Sequence, residues 1–285
     1  MAKPAVLVSG LEPFPGYRLS RHIGRGGWGE VWQARRPDGQ HVALKFLPSE
    51  CAIAGSQEVR ALQSIRQLQH PHLIRIDQIW AWSGYVVIGM ELAEGCMMDL
   101  LDVYCRDYGT CIVPEHLCHY LGQAAEAIDF LNKRQHQLNN QRVAVRHCDI
   151  KPSNLLVLQG QVKVADFSLA ALTTSPMWYH RRTGTLNYAA PEVFQGQLSD
   201  RTDQYALAVS YVELRTGHLP FHDTPASFAK GYVRPEPDLA LLESWEKPII
   251  SRGLDAVPQD RWPSCREMMD RLSQAARRLR VPVGS

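Results

Sequence analysis

The sequence predicts an α+β protein in two lobes, a small antiparallel sheet followed by a larger, mostly helical part. Three features carry this. Over residues 17–47 and 73–92 apolar side chains alternate with a period of two between turn-forming clusters, the mark of strands and hairpins. Beyond residue 95 the period lengthens to about 3.6, which calls for helices. Between them Met90-Glu91-Leu92-Ala93-Glu94-Gly95 leaves a strand and enters a glycine-bearing connector.

The whole-chain numbers fit this reading. The 285 residues are 45% hydrophobic and 21% charged, enough to bury a sizeable core in one large domain or two packed lobes. A net charge of +2 argues against a dedicated nucleic-acid binder. No apolar run approaches the ~20 residues of a membrane span, and Ala5-Val6-Leu7-Val8 is too short for a signal-peptide core. Seven cysteines, an odd number without a CxxC pair, read as reduced thiols in a cytoplasmic protein. His116 and His119 flank Cys118 at helical spacing, but no second ligand pair follows, so an ordinary helix surface is the expectation.

In chain order, the leader before Tyr17 reads as an irregular arm. From Tyr17 short alternating segments and the turn Pro37-Asp38-Gly39 suggest antiparallel strands. Within them Gly24, Gly26 and Gly29 form GxGxxG, with Gly27 adding flexibility. A loop without β-carbons lets backbone N–H groups approach phosphates, although many glycine-rich hairpins are only turns. Strand-like Glu30-Val31 follows instead of a helix, which argues against a dinucleotide-binding βαβ unit. Val42-Ala43-Leu44-Lys45 then places Lys45 opposite Leu44 and Phe46 by alternation, although most lysines simply face solvent. Residues 56–68 carry Val59, Leu62, Ile65 and Leu68 at helical spacing behind the candidate N-cap Ser56; Glu58, on a similar face to Leu62, is a candidate partner for Lys45 or a solvated carboxylate. Two strands about Ser83-Gly84 complete a five-stranded sheet.

In the second lobe Pro114 opens a long amphipathic helix with Leu117, Leu121, Ala124, Ala125, Ile128 and Leu131 on one face. The polar residues 133–142 are expected as a surface loop or helix extension. Then comes Arg146–Ala170, RHCDIKPSNLLVLQGQVKVADFSLA, where Asp149, Lys151, Asn154 and Asp166 supply two carboxylates, a cation and an amide. These are the parts needed to move a phosphoryl group with a metal, a reaction that depends on positioning and charge stabilisation.

Taken together, the glycine loop at 24–29, VALK at 42–45, Glu58, HCDIKPSN at 147–154, ADFS at 165–168, AAPE at 189–192 and Arg261 resemble the eukaryotic-type protein kinases, particularly their bacterial serine/threonine members. The resemblance covers about residues 17–280. It implies a bilobal kinase-like fold, with a first lobe over 17–90, a hinge over 91–95, a second lobe over 96–280, an arm over 1–16 and a tail over 281–285. It implies a signalling transferase that moves the γ-phosphoryl of ATP to serine or threonine of protein substrates with Mg2+, in the cytoplasm, without nucleic acid or a membrane segment. The alternative is a pseudokinase, a nucleotide-binding scaffold.

Residue by residue, the resemblance implies ATP binding by Gly24, Gly26, Gly27, Gly29, Val31, Ala43, Lys45, Glu58, Met90, Glu91 and Ala93. Asp149 and Lys151 become the catalytic pair, and Asn154 and Asp166 the magnesium ligands. Thr185 is expected to contact Asp149 and Lys151, Asp203 to hold the catalytic-loop backbone and Arg261 to pair with Glu192. Thr173, Thr174, Ser175 and Thr183 are candidate phosphoacceptors. Two departures concern control. Cys148 stands where the family has an arginine that pairs with a phosphorylated activation segment, so activity is expected not to require that switch. Ser168 replaces a glycine after Asp166-Phe167, which should reduce local mobility. The spacing from Glu58 to His70-Pro71 also exceeds the family's by about a helical turn.

Overall fold

The computed structural model describes residues 5–26, 29–48, 65–138, 141–173, 177–179, 185–225, 227 and 231–280. The chain divides into two compact units, Met1–Gln69 with Leu73–Glu94, and His70–His72 with Gly95–Ser285.

The first unit is a five-stranded sheet of β1 (Arg18–Gly26), β2 (Gly29–Arg35), β3 (His41–Pro48), β4 (Ile76–Trp82) and β5 (Tyr85–Glu91), in the order β1-β2-β3-β5-β4. Every pair is antiparallel, as the alternation predicts. At the β4–β5 turn Ser83 and Gly84 both take positive φ, 46° and 84°, which suits the twist of a two-residue hairpin. One sheet face buries Trp32, Val42, Leu44, Phe46 and Val87 in a single cluster. Residues 5–16 have almost no regular structure, yet they cover that cluster: Leu7 and Leu11 pack on it. Backbone bonds fix the attachment, Leu19 N–H to the Leu11 carbonyl and Gly10 N–H to the Leu19 carbonyl, both 2.8 Å. Phe14 meets the Trp80 ring edge-on at 4.4 Å. The arm therefore packs against the core as a partial cover. The helix expected over 56–68 lies outside the described residues except at its end, where Ile65 is buried.

The second unit begins with β6 (Gly95–Cys96), α1 (Met97–Tyr108) and α2 (Pro114–Asn132). Proline sits in the first turn of α2, where its missing N–H costs nothing. The predicted apolar face of α2 is buried in full. The next stretch departs from the expectation of a surface loop or helix extension over 133–142: residues 136–138 and 141–142 are strand. They build a hairpin of β7 (His136–Leu138) and β8 (Gln141–Arg146). His136 Nε2 donates to the Phe130 carbonyl at 2.9 Å and its ring meets Phe130 at 5.0 Å, which turns the chain off the helix end. Polar composition hid β7, which pairs with a β8 whose Val143, Ala144 and Val145 are buried.

β9 (Leu155–Leu158) and β10 (Gln161–Val164) pair with each other, and β9 also pairs with β6. β11 (Ala171–Thr173) returns to pair with β8, and β12 (Met177–Tyr179) is followed by α3 (Pro191–Phe194) and by its partner β13 (Gln197–Ser199). α4 (Thr202–Thr216) is buried over nearly its whole length, so it reads as a central helix and not an amphipathic one. α5 (Lys247–Gly253) and α6 (Cys265–Arg280) complete the unit. His70–His72 belong to this unit although the sequence reading gave them to the first lobe. The His72 carbonyl accepts from Val164 N–H at 2.9 Å, and the His70 ring stacks on Phe130 at 5.0 Å. Among the described residues no helix is long and apolar enough to cross a membrane.

Candidate active site

In the first unit the strand register sorts the predicted nucleotide-binding residues onto one face. Val31 lies opposite Lys45, and Ala43 opposite Met90. Cross-strand partners share a face, as do residues two apart on one strand, so Val31, Ala43, Lys45 and Met90 are together. Leu44 and Phe46 take the other face, with the arm-covered cluster. Lys45 is 7% exposed, so its stem is packed within the protein. Glu58 and Gly27 lie outside the described residues. Glu91 ends β5, where it accepts the Arg75 N–H at 2.8 Å, and Ala93 lies in the connector before β6.

The loop glycines separate into two kinds. A β-carbon at Gly29, φ 149°, would sit 2.0 Å from the Phe46 carbonyl oxygen, so the β2–β3 pairing itself excludes a side chain. At Gly24 and Gly26 an added β-carbon would meet nothing within 4 Å. Packing explains Gly29 and leaves Gly24 and Gly26 for another reason, such as approach of a ligand to the backbone.

In the second unit β8 delivers the chain to His147, and the loop after it is anchored on three sides. Asp203 at the start of α4, 1% exposed, accepts the N–H groups of His147 and Cys148 at 2.8 and 2.9 Å. Those bonds hold Cys148 at φ 65°, a left-handed conformation costly for a residue with a β-carbon. His147 bridges inward: its Nδ1 accepts from Asp149 N–H at 3.3 Å and its Nε2 donates to the Ala165 carbonyl at 2.9 Å. The imidazole thus ties the Asp149 loop to the strand end that carries Asp166.

On this frame stands a compact polar cluster. Asp149 Oδ1 accepts from Thr185 Oγ1 at 2.8 Å and from Thr185 N–H at 3.1 Å. Lys151 Nζ lies 2.9 Å from Asp149 Oδ2 and donates to Thr185 Oγ1 at 2.7 Å. Asn154 Nδ2 donates to the Asp149 carbonyl at 2.8 Å and to Oδ2 at 2.9 Å. Lysine, carboxylate, amide and hydroxyl lock one another's rotamers, with Asp149 and Asn154 buried. Asp166 takes φ 67°, and Ser168 returns its hydroxyl to Asp166 Oδ1 at 2.7 Å. The positive φ falls on the aspartate, not on the residue that replaces the family's glycine. Ser168 acts as a rotamer lock.

Two further pairs support the frame. Glu192 and Arg261, 4% and 0% exposed, form a two-pronged bridge of 2.9 and 2.7 Å. Tyr188 donates to Glu213 at 2.6 Å, and burial pushes the Glu213 carboxyl above its usual range while that hydrogen bond pulls it down. Neither Tyr188 nor Glu213 could be singled out from sequence, because a lone tyrosine and a helix glutamate carry no pattern.

The residues of the regulatory reading behave differently from one another. Cys148 is half-buried, and desolvation pushes its thiol well above the usual range. Arg146, 1% exposed, gives its guanidinium to Asn132 and Asp200. Thr173 corrects an expectation: as a β11 residue with 0% exposure and a hydroxyl lacking a partner among the described residues, it is inaccessible as a phosphoacceptor. Thr174, Ser175 and Thr183 lie outside the described residues. His116 and His119 are engaged with Tyr104 and Gln123, and the described residues hold no group of three or more His, Cys, Asp or Glu able to bind a metal.

Comparison with known proteins matches residues 17–280 to the model of the protein kinase domain. The chain is 28% identical over 274 residues to the serine/threonine-protein kinase PknF of Mycobacterium tuberculosis, covering 88% of this chain and 54% of that protein. It is 31% identical over 265 residues to CBL-interacting protein kinase 4 of Oryza sativa subsp. japonica, covering 88% and 56%. To CBL-interacting serine/threonine-protein kinase 26 of Arabidopsis thaliana it is 31% identical over 218 residues, covering 73% and 47%. The chain spans about half the length of the curated relatives it matches.

Proposed function

Because this chain belongs to the protein kinase domain family, we propose that it is a serine/threonine kinase that transfers the γ-phosphoryl group of ATP to hydroxyls of protein substrates. The observation that carries this reading is the Asp149–Lys151–Asn154–Thr185 cluster, in which every polar group is positioned by another.

Asp149 is fixed by three partners and supplies a carboxylate to orient the acceptor hydroxyl and take its proton. Lys151 places a positive charge two residues away, where it offsets negative charge developing on the transferred group. Lys45, on the buried sheet face with Val31, Ala43 and Met90, serves the phosphates of ATP, and Gly24 and Gly26 leave backbone open to them. In this reading Met90, Glu91 and Ala93 line the adenine side of the nucleotide site, and Glu58, outside the described residues, is assigned as the partner of Lys45.

The donor set suits magnesium. Asn154 and Asp166 offer one amide and one carboxylate oxygen, hard ligands too few for an all-protein cage, and Mg2+ typically retains waters and substrate oxygens in its shell. When bound, the ion neutralises charge on the phosphate oxygens. This chain's own contribution is to hold Asp166 through Ser168 and Asn154 through Asp149. The free state of Cys96, Cys105, Cys111, Cys118, Cys148 and Cys265 suits a reducing compartment such as the cytoplasm.

Incubation with Mg-ATP and a generic basic protein, followed by acid hydrolysis of the labelled product, tests the reading. Phosphoserine or phosphothreonine is expected. Tight ATP binding without transfer to any protein would contradict it and favour a nucleotide-binding scaffold.

A further inference from the structure

Arg234 is the polar residue that the sequence reading passed over and the structure singles out. It sits in a proline-bearing loop, Arg234-Pro235-Glu236-Pro237, with no motif around it. Its guanidinium makes no ion pair in the described contacts. Instead Nε and Nη2 donate to the Ala189 carbonyl at 3.0 and 2.8 Å, and Nη2 also reaches the carbonyls of Asn187, at 3.2 Å, and Leu186. The cationic plane lies 4.4 Å from the centroid of Phe221, 5.4 Å from Phe194 and 5.9 Å from Tyr205, within cation–π range of all three. Phe194 belongs to α3 and Tyr205 to α4, so the fork is held by the most buried part of the unit. Its Nη1 is buried with no partner among the described residues, a desolvation cost borne to keep the fork in place.

The residues it grips follow Thr185 directly. Residues 186–188 form a 3-10 turn in which Tyr188 N–H donates to the Thr185 carbonyl at 3.0 Å. Thr185 in turn gives both its N–H and its hydroxyl to Asp149 Oδ1. A carbonyl clamp on 186–189 therefore sets the height of Thr185 above Asp149 and Lys151. We propose that Arg234 is a positioning residue for phosphoryl transfer, acting through the 186–189 turn to hold Thr185 in register with Asp149 and Lys151. The proposal rests on the kinase reading of that site. It touches neither ATP nor the reacting atoms. Lysine cannot replace it, since an ammonium carries no planar fork to span three carbonyls.

Hydrogen exchange on the full chain tests the link without relying on activity. In Arg234→Ala and Arg234→Lys, amide exchange in the peptide spanning residues 185–189 is expected to rise about tenfold or more, with α4 and α6 within about twofold of the wild type. Unchanged exchange at 185–189, or equal acceleration throughout the second unit, would overturn the proposal. A double-mutant cycle supplies the kinetic half. Arg234→Ala is expected to lower kcat about tenfold with KM for ATP within about twofold, and to cost clearly less in a Thr185→Val background, where only the Thr185 N–H bond to Asp149 is left to position. Independent, multiplying losses would show that Arg234 does not act through Thr185. Absence of phosphoryl transfer by the wild type would refute the kinase reading, while the exchange result would still decide the clamp.

Discussion

At the scale of single residues, the site works by mutual restraint. Thr185 donates to Asp149 and accepts from Lys151, so it is the hinge-pin between carboxylate and cation. Replacing it with valine keeps the shape and removes both bonds. Thr185→Val is expected to lower kcat by roughly 10- to 100-fold, the penalty of a misplaced catalytic group, with KM for ATP within about twofold; steady-state kinetics checks this. Glu213 gives a second residue-scale prediction. Its carboxyl is raised above the ordinary value of 4.5 by burial. Below pH 4.5 both folded and unfolded forms are protonated, and there is no penalty. As pH rises past 4.5 the unfolded chain ionises first, so stability is lost until the folded group has titrated as well. Glu213→Gln keeps an acceptor for Tyr188 and removes the titration. The stability of wild type relative to Glu213→Gln is therefore expected to fall with rising pH from 4.5 upward, measured by urea unfolding at a series of pH values.

Elements supply what individual side chains cannot, and here the chain outside the family match matters. Residues 5–16 precede the matched region, yet Leu7 and Leu11 cover the aromatic cluster of the first unit. A variant beginning at Tyr17 is expected to lose about 2–4 kcal/mol of first-unit stability, the partial burial of two leucines, seen as an earlier tryptophan-fluorescence transition in urea. Legibility also divides by element. The five strands, the α2 face and the placement of Asp149 beside Lys151 were readable because alternation, helical spacing and tight sequence proximity encode them. The β7 half of the β7–β8 hairpin was not, since His136 and Gln137 give no apolar alternation and the pairing to β8 is a matter of backbone bonds. Arg234 was invisible for another reason: its partners are carbonyl groups 45 to 48 positions away, and a carbonyl is the same in every residue. The docking of residues 5–16 depends on a tertiary surface that no local pattern reports.

For the molecule as a whole, chemistry and control separate. The proposed catalytic residues are all present, whereas the arginine that would receive a phosphorylated segment is an uncharged, half-buried cysteine, and Arg146 is occupied by Asn132 and Asp200. Alanine replacement of Thr174, Ser175 and Thr183 together is expected to leave kcat within about threefold of wild type, since no free cation at position 146 or 148 awaits their phosphates; a loss of activity restored by acidic replacements would show that a phosphate switch operates. The central claim is that Asp149 is the carboxylate through which this chain phosphorylates protein hydroxyls. Its most direct test is transfer from Mg-ATP to a generic basic protein by wild type and Asp149→Asn, with ATP affinity measured alongside. The account predicts a fall in transfer of about 100-fold or more in the variant with ATP affinity within about twofold. Equal transfer by the two proteins would contradict it.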